Sequence, residues 1–195
     1  MLVRILSLIF ILSLAVGSAY TQSNNLLKNP NGDDGLQSWR AFGNASVSDC
    51  IGTGKCFSIH QDGFVFQDIN APETAVGTFA VLISFASIEE TNPDGPLGRP
   101  YLFGYFMSSG ELRNATVLSN LTGQEMANRP SASGEWVKQY GIFKIPEKTR
   151  RIRIFLRSGC PKTTTSVNCA SHFREPGIFL FTTEDEAKLF VGSYQ

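Results

Sequence analysis

Histidine is nearly absent, with two in 195 residues, and neither falls in an H-E-x-x-H run or another metal-ligand spacing. No G-x-S-x-G elbow, Walker loop or dinucleotide fingerprint occurs. Gly52-Thr53-Gly54-Lys55 lacks the flanking glycine and the Ser/Thr of a phosphate loop, and it reads as a turn between two cysteines. The paired acids Glu89-Glu90 and Glu184-Asp185-Glu186 are explained by solvation at a strand end and by helix capping. Neither sign of charge is in excess, since 17 Lys and Arg face 17 Asp and Glu, so the basic footprint of a polyanion or nucleic-acid binder is missing. Past the N-terminus, no apolar run approaches the roughly 20 residues that cross a bilayer as a helix. These absences point away from catalysis, nucleotides and nucleic acid, and toward a protein that binds without turnover.

What is present begins with export. Arg4 precedes an apolar run from Ile5 to Val16, followed by the small residues Gly17, Ser18 and Ala19. That is the layout of a signal peptide, expected over 1–19 with cleavage after Ala19, leaving a single secreted extracellular domain over 20–195 with no membrane span. Four cysteines in an exported chain are expected to form two disulfides, Cys50 with Cys56 and Cys160 with Cys169. Three sequons, at Asn44, Asn114 and Asn120, mark surface positions and N-glycan acceptors in a eukaryotic secretory context.

Turn signals cut the chain into short alternating runs. Asn25-Leu26-Leu27 enters a cluster of Asn, Pro, Gly and Asp, in which Gly32 and Gly35 suit positive φ, and Leu36 and Trp39 return to the interior. Cys56 to His60 and Phe64 to Ile69 are expected to pair as a hairpin about Gln61-Asp62-Gly63. Thr78 to Ile88 reads as a central strand covered on both faces. Tyr101 to Met107, Trp136 to Ile145, Arg151 to Ser158 and Gly177 to Phe181 supply further strands. The polar stretch from Leu112 to Ser133 supplies one or two weak ones. A capping box at Thr183 to Glu186 opens a terminal helix whose stripe Ala187, Phe190, Val191 and Tyr194 is expected to pack on the sheets. The expected fold is all-β: an antiparallel β-sandwich closed by a short C-terminal α-helix.

Four segments, in order, carry a family resemblance: Asn25-Leu26-Leu27 through Trp39, Val65-Phe66-Gln67-Asp68-Ile69, Trp136-Val137-Lys138 with Phe143-Lys144-Ile145-Pro146, and Arg151-Ile152-Arg153-Ile154. Together they resemble galactose-binding-like jelly-roll domains, the group that includes many carbohydrate-binding modules and the sugar-binding domain of F-box lectins. The resemblance implies a jelly roll and a glycan or glycoprotein ligand. The aromatic-rich glycan-contact loop of the F-box lectins is not recognisable here. The resemblance also raises one cofactor, a structural calcium held by Asp33 and Glu175, in a position where many such modules use an aromatic-Glu pair and an Asp-rich strand.

Sugar recognition needs aromatic rings beside hydrogen-bonding side chains, because pyranose faces are apolar and their edges carry hydroxyls. Trp39 and Trp136 are expected to pack in the core. The candidates for the ligand are Tyr101 and Tyr105, with Tyr140, Arg151, Arg153 and Arg157 on an adjacent wet face, and Asn92, Asp94 and Arg99 in the neighbouring loop. The competing expectation is that the tyrosines point inward and the arginines are merely solvated. An extracellular structural or protein-interaction sandwich is the alternative function, and a glycoside-active hydrolase a more distant one. His60 and His172 are expected to have no catalytic partner.

Overall fold

A computed structural model describes residues 24–50, 54–90, 99–109, 114–160 and 169–195. The chain alternates between two antiparallel five-stranded sheets. The first is ordered β1 (Arg40–Phe42), β4 (Phe64–Asn70), β9 (Arg151–Arg157), β6 (Tyr101–Met107), β7 (Val117–Leu121). The second is ordered β2 (Ala45–Cys50), β3 (Gly54–His60), β10 (Cys169–Phe181), β5 (Phe79–Glu90), β8 (Val137–Lys144). Both expected disulfides are formed. The expected leader over 1–19 lies outside the described residues, among which no helix is long and apolar enough to cross a membrane.

The core follows from period-two alternation on facing strands. Val65 and Ile69 of β4, Ile152, Ile154 and Leu156 of β9, and Leu102 and Phe106 of β6 meet Phe57, Ile59, Leu82, Ala86, Phe173 and Ile178 of the other sheet. The central strand is buried on both faces, as its uninterrupted apolar run requires. Its inward Ala80 and Leu82 join the main core, while its outward Val81 and Ile83 lie beneath the terminal helix α1 (Glu184–Ser193). The capping box is present in full, with Thr183 and Glu186 each satisfying the other's backbone N–H. Ala187, Phe190, Val191 and Tyr194 dock on Val81, Ile83 and Phe179. The Tyr194 hydroxyl donates to the Glu175 carbonyl at 3.1 Å. Burial, reinforced by the Glu175 carboxylate, pushes that phenol up to about 12, so it stays a donor at any physiological pH.

The opening turn ties the two sheets together. Leu26 N–H donates to the Ile178 carbonyl of β10 at 3.0 Å. On the other side, the Gln67 side chain of β4 exchanges two hydrogen bonds with the backbone of Lys28, at 2.7 and 2.9 Å. Gly32 and Gly35 take the positive φ expected of them, 71° and 64°. The Trp39 indole is buried against Phe57, and its N–H donates to the Asn29 carbonyl at 3.1 Å. Trp136 is partly buried beneath the Arg174 guanidinium, 4.8 Å from its ring.

Two strand expectations need correcting. Cys56–His60 and Phe64–Ile69 do not form a hairpin: β3 pairs with β2 and β10, β4 pairs with β1 and β9, and Gln61-Asp62-Gly63 carries the chain from one sheet to the other. The last strand begins at Cys169 rather than Gly177. Pro176 reads as a strand breaker, but it sits in a bulge where the register shifts between Arg174 and Gly177. Asn25 fills that bulge, its amide donating to the Pro176 carbonyl at 3.0 Å and its oxygen accepting from Ile178 N–H at 3.1 Å.

Candidate ring-lined sheet face

The inward alternation of β4, β9 and β6 sends the other half of each strand to the outside of the first sheet, where no helix of the described residues covers it. Register aligns these side chains in rows across the strands. One row runs Phe42, Phe64, Arg157, Tyr101; the next runs Arg40, Phe66, Phe155, Phe103; a third holds Asp68, Arg153, Tyr105, Asn120. Six phenylalanine and tyrosine rings contact one another in a chain. Phe103 stacks on Phe155 at 4.7 Å, Phe155 on Phe66 at 5.4 Å, and Phe42 on Phe64 at 5.2 Å, while Tyr105 meets Phe155 edge-on at 5.7 Å. Phe42 is 65% and Tyr101 43% exposed.

Beside the stack, Tyr101, Phe103, Thr122, Gly123, Met126 and Arg157 line a groove of about 340 Å³, at the small end of the range for ligand clefts. Its position depends on a buried amide in the other sheet. Gln139 of β8 is fully buried; its oxygen accepts from Leu102 N–H at 3.1 Å, and its amide donates to the Pro100 and Asn128 carbonyls at 2.8 and 2.7 Å. It thereby fixes the start of β6 against the short helical turn Glu125–Ala127 that carries Met126.

The sequence-derived candidates divide. Tyr101, Tyr105, Arg151, Arg153 and Arg157 share the ring-lined face, and the tyrosines point outward rather than into the core. Arg153 and Arg151 are not simply solvated. The Arg153 guanidinium grips Asp68 bidentately at 2.7 and 2.9 Å and lies 4.8 Å over Phe66, and Arg151 reaches the same carboxylate at 3.7 Å. Tyr140 is a correction. It lies on the outer face of the second sheet among residues packed beneath α1, because alternation assigns a side of a strand but not the sheet that the strand joins. Arg99 is exposed just ahead of β6, and Asn92 and Asp94 lie outside the described residues. Phe42, Phe64, Phe66, Phe103, Phe155, Arg40 and Asp68 were not expected here. Their signal was the alternation in Phe64-Val65-Phe66-Gln67-Asp68 and Arg153-Ile154-Phe155, which places ring and charge on one side.

Asp33 and Glu175, which the resemblance names as calcium ligands, do not fall within a group of three metal-type side chains among the described residues; their backbone carbonyls are engaged elsewhere. The Lys55 ammonium already donates to the Asp33 carbonyl at 2.9 Å, and the Glu175 carbonyl is taken by Tyr194. Among the described residues, the one cluster with three metal-type ligands is Cys50, Cys56 and His172, and its two sulfurs are bonded to each other.

His172 has partners that the sequence did not reveal. Across β3, β10 and β5, the Ser58 hydroxyl lies 2.9 Å from its Nδ1, and Glu89 Oε2 lies 3.3 Å from its Nε2. Ser58 is 4% exposed and Glu89 is exposed, so this chain of bonds runs from the interior of the second sheet to its surface. Burial lowers the His172 pKa, and Glu89 only partly offsets that effect. A base whose folded pKa is depressed resists protonation that the unfolded chain accepts, so its stability contribution is full above the ordinary histidine value near 6.5 and fades as pH falls through it. The melting temperature is expected to drop between pH 7.5 and 5.5, and the drop should be shallower in His172→Gln. Parallel pH profiles for the two proteins would remove His172 from the account.

No protein-family model matches this chain, and no curated protein does. Solved structures do. The enzymatically active domain of bacteriophage CBA120 tailspike protein 4 superposes with a TM-score of 0.55 at 11% identity, covering 80% of this chain and 21% of that one. The CBM22-1–CBM22-2 tandem domain of Paenibacillus barcinonensis Xyn10C gives 0.50 at 12% identity, covering 85% of this chain and 48% of that one. TmCBM61 in complex with β-1,4-galactotriose gives 0.47 at 18% identity, over 83% of this chain and 100% of that one. The chain thus spans a minor part of the first and about half of the second. At these identities the likeness is one of fold: the protein is a jelly-roll sandwich of the kind carbohydrate-binding modules use.

Proposed function

We propose that this protein is a secreted, non-catalytic module that binds a glycan across the outer face of the sheet β1-β4-β9-β6-β7. One observation carries the reading: rings, hydrogen-bonding side chains and a groove converge on a sheet face that no helix of the described residues covers. The ring stack gives the sugar an apolar floor. Asp68, Arg153, Tyr105 and Arg157 surround it with donors and acceptors for the sugar's hydroxyls. The carbohydrate-binding-module fold is in keeping with this. The test is a glycan array with and without calcium chelation, in which binding is expected and chelation is expected to leave it unchanged. A folded protein that captures no glycan in either condition would refute the reading.

The alternative, an extracellular protein-interaction sandwich, draws on Phe42, which is 65% exposed on an edge strand. It would be favoured if the array stayed blank while Phe42→Ser abolished capture of an extracellular protein partner.

We also propose that the exposed Asn44, Asn114 and Asn120 are N-glycan acceptors in the secretory pathway of a eukaryotic cell. Asn120 stands directly across from Tyr105, so a glycan there would overhang the rings. Protein from such a host is expected to lose a glycan's mass in Asn120→Gln and to gain affinity for array ligands. Identical intact masses for the two proteins would discard the Asn120 assignment.

A further inference from the structure

The ring face carries an imbalance of charge that the chain as a whole does not. Four arginines, Arg40, Arg151, Arg153 and Arg157, occupy it against one carboxylate, Asp68. Asp68 is already engaged by Arg151 and Arg153. Arg40 lies 5.8 Å from the Phe66 ring, and neither it nor Arg157 has a carboxylate partner among the described residues. Glu125, on the helical turn beside the groove, is tied to the Asn128 amide at 3.1 Å. Arg157 is exposed and forms part of the groove wall next to Tyr101 and Phe103.

The rings act in the same direction. Phe103 and Phe155 are parallel within 1° at 4.7 Å, and Phe42 and Phe64 within 5° at 5.2 Å. Rings lying side by side in one plane would overlap at such separations. These therefore face each other across the strands and turn their rims to solvent. An aromatic rim is the positive part of the ring quadrupole and favours electronegative oxygen. Unpaired guanidinium and ring rims together make a surface that prefers an anion.

We propose that the ligand is an anionic saccharide, carrying a carboxylate or a sulfate, and that Arg157 anchors its charged group while the sugar lies over Phe155 and Phe103. This rests on the glycan reading above and narrows it to acidic sugars. Arg157 suits the role because its planar fork can pair both oxygens of a carboxylate or sulfate, and because no internal acid competes for it.

The test compares trigalacturonate, its methyl ester and a sulfated galactan oligosaccharide by titration calorimetry, on the wild type and on Arg157→Gln and Phe155→Ala. Trigalacturonate or the sulfated sugar is expected to bind roughly tenfold more tightly than the neutral ester, the size of one charge-assisted hydrogen bond. In Arg157→Gln the acidic and neutral probes should bind with equal affinity, and in the wild type the preference should shrink between roughly 50 and 500 mM NaCl as an exposed charge is screened. Whichever acidic probe responds identifies the anion as carboxylate or sulfate. Equal affinity for acidic and neutral probes in the wild type would overturn this inference and leave the glycan reading standing. No binding of any probe would overturn this inference, and the glycan array then decides the broader reading. Acidic binding that survives Phe155→Ala unchanged would reduce the surface to a diffuse charged patch and overturn the site as drawn.

Discussion

Phe155→Ala is expected to weaken glycan binding by about 2 kcal/mol, roughly thirtyfold in Kd, in a protein that still folds. Phe155 is the hub of the ring face, touching Phe66, Phe103, Phe64 and Tyr105. Its removal opens a gap in the middle of the stack and frees its neighbours to turn. The stability cost should be modest, about 1–2 kcal/mol, because the side chain lies half-buried on the outer surface while the adjacent Ile154 and Leu156 fill the core. Calorimetry on the variant, with a urea melt as control, measures both quantities. Unchanged affinity in the folded variant would move the ligand elsewhere on the molecule.

The second large effect is on folding. Trp39→Ala is expected to cost about 3–5 kcal/mol, the range for deleting a buried large aromatic. Against the roughly 5–15 kcal/mol typical of a domain, that is about a fifth of its stability or more. The ring is 6% exposed, packs 4.8 Å from Phe57, and closes the opening turn through its indole N–H. Trp39→Phe should recover much of the packing but not the bond to Asn29. Chemical denaturation of the pair separates the two contributions. A loss below about 1 kcal/mol in Trp39→Ala would show that the turn is held by its backbone alone. If instead Trp39→Phe abolished glycan binding with stability intact, the indole would be part of the ligand site.

The parts of the fold legible in the sequence were those encoded locally. The opening turn shows itself through Gly, Pro and Asn at positions that need special φ, the central strand through an apolar run too uniform for a one-sided strand, and the helix through its capping box. What escaped was the partnership between distant segments. Gln61-Asp62-Gly63 announces a reversal, but nothing local states that Phe64–Asn70 leaves Gly54–His60 to pair with Arg151–Arg157. Pro176 hid the first half of the last strand because the residue that accommodates its bulge, Asn25, lies 151 positions away.

The candidate site divides along the same line. Alternation correctly put Arg151, Arg153 and Arg157 on one side of their strand and Tyr101 and Tyr105 on one side of theirs. It could not say that these sides coincide, nor that Tyr140 lies beneath α1. The phenylalanines were harder still. Hydrophobicity marks Phe64, Phe66 and Phe155 as core, and only the arrangement of layers shows that no described helix covers their side of the sheet.

Because α1 packs on the outer side of β5, β8 and β10 in the second sheet, the ring face and the helix look in opposite directions. Chemical coupling through Lys188, exposed on the helix, would therefore moor the molecule to a bead or sensor chip with its rings toward the fluid. Attachment at the ring face, beside Arg157 or Asn120, would blind it. A probe built from this scaffold has a natural back and a natural front, each decided by where ten residues of helix come to rest.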